Sequence, residues 1–478
     1  MTLRSNAKWN MFSQTFKVLV QVVNIVYLAK IIPPAEYGLM AMALVIFNFG
    51  ILLRDLGTSA AIIQRKELTH PLINTVFWLN TIMGIVLAII VFSSSPLIAN
   101  FYQQPQLIPI LMMLSITFPL SSCAAAHLAL LERDSKFKIV SIIEVTSATV
   151  SVVCAVVLAN LGYGVYSLVV QAIILNLMSA IQFWFASNWR PTVRSFIDFQ
   201  VLKDVFSFSA NLSLFNFVNY FSRNADSFII GKFMSASVLG SYNLAYRIML
   251  FPLQSLTFVT TRSLYPILSK SQDDNKSISS LYLKCVFVIL FITMPLMVGL
   301  AYFSEPFVRL VFGAQWYLTA DVLKWLAPTA IIQSVLSTTG SVFMAKGRTN
   351  TLLRLGIIGA ILQVSSFIIG VKYSITVFAM CYFIANILNA IPVMYCLFKL
   401  IDINFKCFFT KIIPIIAGTW CMWLSLNILN LYVPIISINS VLKLCSLSIT
   451  GALLYIIFMV VYSSFIRNNI LGTLRKVF

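Results

Sequence analysis

Residues 10–24 read NMFSQTFKVLVQVVN, and in them Asn10, Gln14, Lys17, Gln21 and Asn24 recur at steps of three and four along an otherwise apolar run. That spacing puts all five on one side of an α-helix. Residues 216–226 read NFVNYFSRNAD and repeat the pattern with Asn216, Asn219, Arg223 and Asp226. Adding 202 to positions 14, 17, 21 and 24 gives 216, 219, 223 and 226. A polar face on an apolar helix, met twice at one offset, predicts two equivalent helices that each line something wet.

Working outward, the surroundings of both helices read as membrane. The chain has 478 residues, 60% of them hydrophobic and only 10% charged, with a mean hydropathy of +0.93. This composition predicts an all-α polytopic membrane protein. Fourteen apolar windows qualify as transmembrane helices, near 11–32, 37–57, 73–95, 107–131, 139–160, 164–186, 204–230, 238–266, 281–303, 321–345, 352–371, 376–398, 411–430 and 441–465. Met1 to Asn10 is polar and no A-x-A site follows the first apolar run, so no cleavable signal peptide is expected. The loops between windows are too short for a soluble catalytic domain; the longest outer ones fall near 93–107 and 304–320.

A net charge of +19 raises nucleic acid or anionic lipid as a partner, but the placement of the charge argues against nucleic acid. With a cytoplasmic N-terminus, 24 of the 33 Lys and Arg fall on the cytoplasmic side, in clusters such as Arg65-Lys66, Arg133/Lys136/Lys138 and Arg190/Arg194/Lys203. Six fall toward the outer side and three, Lys17, Arg247 and Lys324, lie within segments. This is positive-inside asymmetry, and it predicts a multi-pass protein with an even number of helices and both termini cytoplasmic. The eight Cys show no metal spacing and read as small core residues. His70 and His127 lie far apart in sequence, near cytoplasmic ends, and read as no catalytic or metal pair.

The 202-residue offset continues beyond the two polar stripes. Lys30 precedes Gly38 by eight residues, and Lys232 precedes Gly240 by eight. Ser95-Pro96 and Glu305-Pro306 follow the third and ninth windows; Arg133-Asp134-Ser135-Lys136 and Gly347-Arg348-Thr349-Asn350 follow the fourth and tenth. The expected organisation is a six-helix lobe over 1–190, a second over 191–400, and a two-helix segment with a cytoplasmic tail over 401–478. Six is even, so the lobes are related by a parallel pseudo-two-fold along the membrane normal. A linker from Asn188 to Asp204 joins them.

Charged side chains inside the bilayer are costly, and they usually face a cavity or a partner. Lys17 lies mid-stripe in the first window, with a snorkelling side chain as the bland alternative. Arg247 sits below the outer end of the eighth window, ahead of Pro252, with an interfacial anchor as its alternative. Arg223 and Asp226, three apart, can pair on one helix face. Arg54-Asp55 lies near the cytoplasmic end of the second window, where a positive-inside anchor competes. Glu144 enters the fifth window by about one turn and reads as interfacial. Lys17, Arg54, Arg223 and Arg247 outnumber Asp55 and Asp226, so the expected cavity is cationic and suits phosphate oxygens. Gln14, Gln21, Asn24, Asn216 and Asn219 suit hydroxyl-rich groups. Phosphate and sugar on one membrane path indicate a lipid-linked saccharide.

The stretches from Ser5 to Asn10, Pro33 to Leu39, Asp55 to Lys66 and Asn74 to Asn80 resemble the colanic-acid-type Wzx exporters. These belong to the polysaccharide transporter family of the multidrug/oligosaccharidyl-lipid/polysaccharide superfamily. The resemblance is carried mainly by residues 4–140. It implies a flippase that carries an undecaprenyl-diphosphate-linked oligosaccharide, a unit of exopolysaccharide, capsule or O-antigen, across the bacterial inner membrane by alternating access. It implies no cofactor, coupling to a proton or sodium gradient, and partners that include membrane lipid, a polysaccharide polymerase and a chain-length regulator. In related lipid II flippases basic residues on helices 1, 2 and 8 contact the diphosphate, and Lys17, Arg54 and Arg247 occupy those helices here. Some relatives hold sodium near an acidic residue on helix 7, where Asp226 lies. No acidic partner stands on windows 11 or 12, only Gln363, Asn386 and Asn389, so a proton serves that role equally well.

Two other classes compete. A multidrug or organic-cation exporter of the same superfamily should have more cavity carboxylates than cavity Arg and Lys. A membrane enzyme, such as a polysaccharide polymerase, ligase or O-acyltransferase, needs a large outer loop or a catalytic His or carboxylate set, and the outer loops hold no His and only Glu305 as an acid.

Overall fold

The structure, a computed structural model, describes residues 3–55, 69–193, 220–221, 224–270, 274–432 and 440–462, and no strand occurs among them. Its helices are α1 (Leu3–Ile31), α2 (Pro34–Asp55), α3 (His70–Tyr102), α4 (Leu107–Ser115), α5 (Thr117–Arg133), α6 (Phe137–Asn160) and α7 (Val165–Ala186). There follow α8 (224–233), α9 (Ala236–Lys270), α10 (Asn275–Tyr302), α11 (Ser304–Val311), α12 (Tyr317–Ala345), α13 (Thr349–Gly370), α14 (Ile375–Leu400), α15 (Phe405–Tyr432) and α16 (Ser440–Tyr462). Ten spans are long and apolar enough to cross a membrane: α2, α3, α4 with α5, α6, α7, α10, α13, α14, α15 and α16. The chain is therefore a multi-pass helical membrane protein. Helices α1, α9 and α12 form where spans are expected but are not among the ten. They carry the Lys17 stripe, Arg247 and Arg262, and Asp321 with Lys324, respectively. Most of the window at 204–230 lies outside the described residues.

The loops expected at 93–107 and 304–320 are largely helical. Helix α3 runs on through Pro96 to Tyr102. A proline removes the N–H that would bond the carbonyl four residues back, here Phe92. The hydroxyl of Ser95 donates to that carbonyl at 2.7 Å, so the helix need not stop; serine repair of this kind is available in lipid, where water is not. Helix α10 meets the same problem at Pro295, which leaves the Phe291 carbonyl without its usual partner. There the donor is the hydroxyl of Tyr455, on α16, at 3.0 Å. The break between α4 and α5 at Ile116 has a proline cause as well, because Pro119 cannot supply a donor to the turn before it.

The chain divides into two compact units, Met1–Gly240 and Ser241–Phe478. In the first, α1 packs along α6, α6 along α7, α3 along α5, and α5 along α7. In the second, α10 packs along α12, α12 along α14, and α13 along α14, while α15 lies against α10 and α16. The turns that end α5 and α12 are built alike. Lys136 N donates to Leu131 O and Ser135 N to Glu132 O; Arg348 N donates to Phe343 O and Gly347 N to Met344 O. Both are Schellman closures, with Ser135 at φ 55° and Gly347 at φ 66° in the left-handed position.

Within the first unit, residues 220–240 are tied to α2 and α3. Tyr220 Oη donates to Val45 O, and Lys232 donates to Phe101 O. Two glycines permit the closest approach. A Cβ on Gly38 would fall 1.7 Å from the carbonyl oxygen of Ala236, and one on Gly240 would fall 2.0 Å from that of Pro34. Positions 34 and 236, like 38 and 240, are 202 apart, so the contact is reciprocal: each helix start places its glycine on the other's equivalent residue.

Candidate functional site

Helix α1 packs along α6, and two residues of its polar stripe reach partners there and on α7: Lys17 on α6 and Asn24 on α7. A run of small buried residues on α6, Ser147, Ser151, Ala155 and Ala159, recurs every four positions, which lets neighbouring backbones approach closely. One turn before this seam, Glu144 accepts from Lys17 Nζ at 2.5 Å, with the side chains 25% and 36% exposed for Lys17 and Glu144. Lys17 is thus neither a bare cavity charge nor a snorkelling side chain; it has a carboxylate partner in the fifth window. Glu144, expected to be interfacial, is that partner.

Further along α1, buried Asn24 donates from Nδ2 to Gln171 Oε1 on α7 at 3.4 Å, while its Oδ1 is enclosed without a hydrogen-bond partner. Tyr27 bonds Asn160 at the far end of α6. Gln14 and Gln21 are exposed. On the α6 side, Thr146 donates to Gln182 Oε1 at 2.7 Å and Gln182 Nε2 donates to Ser147 at 3.2 Å. These bonds fix the turn of α6 that carries Glu144.

Arg54, at the end of α2, is only 7% exposed and donates from Nη1 to Ser121 Oγ on α5 at 2.5 Å. Asp226, on α8, is 6% exposed, and its Oδ1 accepts from the backbone N–H of Ser227 at 2.6 Å. Arg247, on α9, is exposed. Asn216, Asn219 and Arg223 lie outside the described residues, as does the pairing expected between Arg223 and Asp226. The structure therefore brings Lys17 and Asn24 together on one face and adds Glu144, Gln171 and Gln182 to it. The signal that could have found Glu144 is its place three residues before the small-residue seam of α6.

The two histidines, distant in sequence, converge on one indole. Trp189 lies 5.9 Å from the His70 ring and 5.6 Å from that of His127, centroid to centroid. His127 is fully buried among Trp184, Trp189 and Phe77, and neither ring nitrogen has a hydrogen-bond partner. Beside this box, Asn74 grips the start of the linker, donating to Thr192 O at 2.9 Å and accepting from Thr192 N at 2.8 Å. Among the described residues no three His, Cys, Asp or Glu stand together as metal ligands. A cavity of about 440 Å³ in the second unit is apolar, lined by Phe291, Pro295, Gly299, Met422, Leu426 and Ser448 among others. It contains none of the residues singled out in the sequence.

Among the described residues the chain is a many-spanned helical membrane protein in which Lys17 and Glu144 pair between two helices. The fold matches that of the lipid II flippase MurJ in its inward closed conformation, with a TM-score of 0.72 at 17% identity, over 96% of this chain and 99% of the other. The family model described as "Polysaccharide biosynthesis protein" matches residues 27–321. The lipopolysaccharide biosynthesis protein WzxC of Escherichia coli (strain K12) is 30% identical over 77% of this chain and 74% of its own. The teichuronic acid biosynthesis protein TuaB of Bacillus subtilis (strain 168) is 28% identical over 96% of this chain and 95% of its own. The chain belongs to the polysaccharide biosynthesis protein family.

Proposed function

We propose that the chain flips an undecaprenyl-diphosphate-linked oligosaccharide from the cytoplasmic to the outer leaflet of a bacterial inner membrane. It does so by alternating access between two six-helix lobes of a fourteen-span protein with both termini cytoplasmic. Lys17, Arg54, Arg223 and Arg247 meet the diphosphate at successive stages, and Gln14, Gln21, Asn24, Asn216 and Asn219 meet the glycan. Asp226 couples transport to a proton or sodium gradient, and a polymerase and a chain-length regulator receive the product. The observation that carries this reading is the Lys17–Glu144 pair, a partly open ammonium held among helices where an anion can compete for it. The reciprocal Gly38 and Gly240 contact and the matching α5 and α12 turns support the two-lobe repeat.

The test is a vesicle assay with the purified full chain and a fluorescent undecaprenyl-diphosphate oligosaccharide in the inner leaflet. Wild-type protein should expose the glycan to an external lectin, and Lys17→Ala should lower the rate at least about tenfold, the scale of a lost charge-assisted contact. Vesicles that expel an organic cation but leave the glycan inside would instead make the chain a multidrug exporter.

A further inference from the structure

The Lys17–Glu144 pair is more specific than a neutralised charge needs to be. An ammonium has three donors, and the Glu144 carboxylate takes one of them through Oε2. Both side chains remain partly open, so a ligand can reach the pair without unpacking the helices. The two partners are not equally free to move. Lys17 hangs on a four-carbon stem, whereas the α6 turn of Glu144 is pinned to α7 through Thr146, Ser147 and Gln182. An incoming anion therefore draws Lys17 away and leaves Glu144 where it is.

We infer that Glu144 is the resident counter-ion of Lys17 and sets which anions the first unit accepts. This rests on the diphosphate reading above and adds to it a residue that works against binding. A headgroup with a single phosphate brings fewer acceptor oxygens and less charge than a diphosphate, and gains too little from Lys17 to displace the carboxylate. A diphosphate brings more charge and more acceptor oxygens and wins the exchange. Once it has won, Glu144 stands uncompensated beside a polyanion. That repulsion weakens the bound state and favours release, which transport requires as much as capture. Glu144 is thus a specificity-determining residue: it raises the threshold for entry and prevents the complex from becoming a trap.

The experiment compares undecaprenyl diphosphate with undecaprenyl monophosphate, titrated into the purified full chain in phosphatidylcholine nanodiscs and read by native mass spectrometry. In Glu144→Gln the diphosphate should bind about three- to tenfold tighter, the monophosphate should gain more, and the preference between them should shrink. Glycan flipping by the same variant should slow. Lys17→Ala should weaken diphosphate binding, and adding Glu144→Gln to it should tighten binding less than the same change does in wild type, because only the direct repulsion is then left to remove. Glu144→Asp, which keeps the charge, should hold the wild-type preference and guards against a folding defect in the amide variant. Binding by wild type with no tightening in Glu144→Gln, or tightening of undiminished size without Lys17, overturns the inference alone. Absence of diphosphate binding in wild type overturns the substrate reading as well.

Discussion

The two units handle internal polarity by different means. In the first, charge is set between helices far apart in sequence: Lys17 on α1 with Glu144 on α6, and Arg54 on α2 with Ser121 on α5. In the second, the described interior is polar but neutral. Gln333 donates to Tyr382 Oη at 2.7 Å and to Asn386 Oδ1 at 3.4 Å, and Asn386 returns to the Tyr382 carbonyl. Thr293 meets Ser334 at 3.4 Å. The ion pair Lys324–Asp321 there is 48% and 44% exposed, and Arg247 is exposed too. Neutral networks hold a shape at modest cost; embedded charges cost more and are kept where a charged ligand must be met. The first unit is therefore the more exacting one, in charge and in backbone approach.

Glycine substitutions should separate the units most. Gly38→Ala puts a methyl group on a carbonyl that cannot swing away, so a loss of about 3 kcal/mol, at the upper end for overpacking, is expected. The matched change in the second unit, Gly356→Ala, meets nothing within 4 Å and should be neutral or stabilise the helix by up to about 1 kcal/mol. Thermal unfolding in detergent reads both, and equal melting temperatures for the two variants would erase the contrast.

Next in size is Arg54→Ala, which strips a buried charge from Ser121 and should cost about 1.5–3 kcal/mol. Gln333→Leu, which removes one neutral member of the second unit's network, should cost about 1 kcal/mol. Denaturant midpoints would rank them, and a larger loss for Gln333→Leu would reverse the comparison. The smallest effect belongs to Asp321→Ala. Its pair with Lys324 is nearly half exposed, and a change within about 0.5 kcal/mol is expected, with glycan flipping at the wild-type rate. A loss of flipping there would mean that the second unit also uses charge at that helix.

How much of this was legible before the structure depends on how local the physics is. Apolar windows mark the helices because a membrane span must satisfy its own backbone, and that demand is visible within twenty-odd residues. Pro96 reads as a stop because the cost of a proline is local, while its remedy by Ser95 depends on a rotamer. Pro295 is harder still, since its remedy comes from Tyr455. Lys17 stands out by its cost alone. Its partner does not, because 127 residues separate them and a glutamate one turn inside a helix looks like an interfacial one. The meeting of the histidines is hidden for the same reason: only the fold brings His70 and His127 to Trp189. The 202-residue repeat was legible at Gly38 and Gly240 as a coincidence of spacing, and the reciprocal contact gives that coincidence a cause.

The hydroxyl that answers Pro295 has a consequence for how the chain is made. Phe291 leaves the ribosome 164 residues ahead of Tyr455. At roughly 5–20 residues per second, its carbonyl enters the bilayer about 8–33 s before its final donor exists. In that interval α10 must borrow a partner from water, lipid headgroup or the insertion machinery. The last helix therefore completes one that was inserted long before it, and a nascent chain released before Tyr455 would carry an unfinished helix into the membrane, a mark by which quality control could know it.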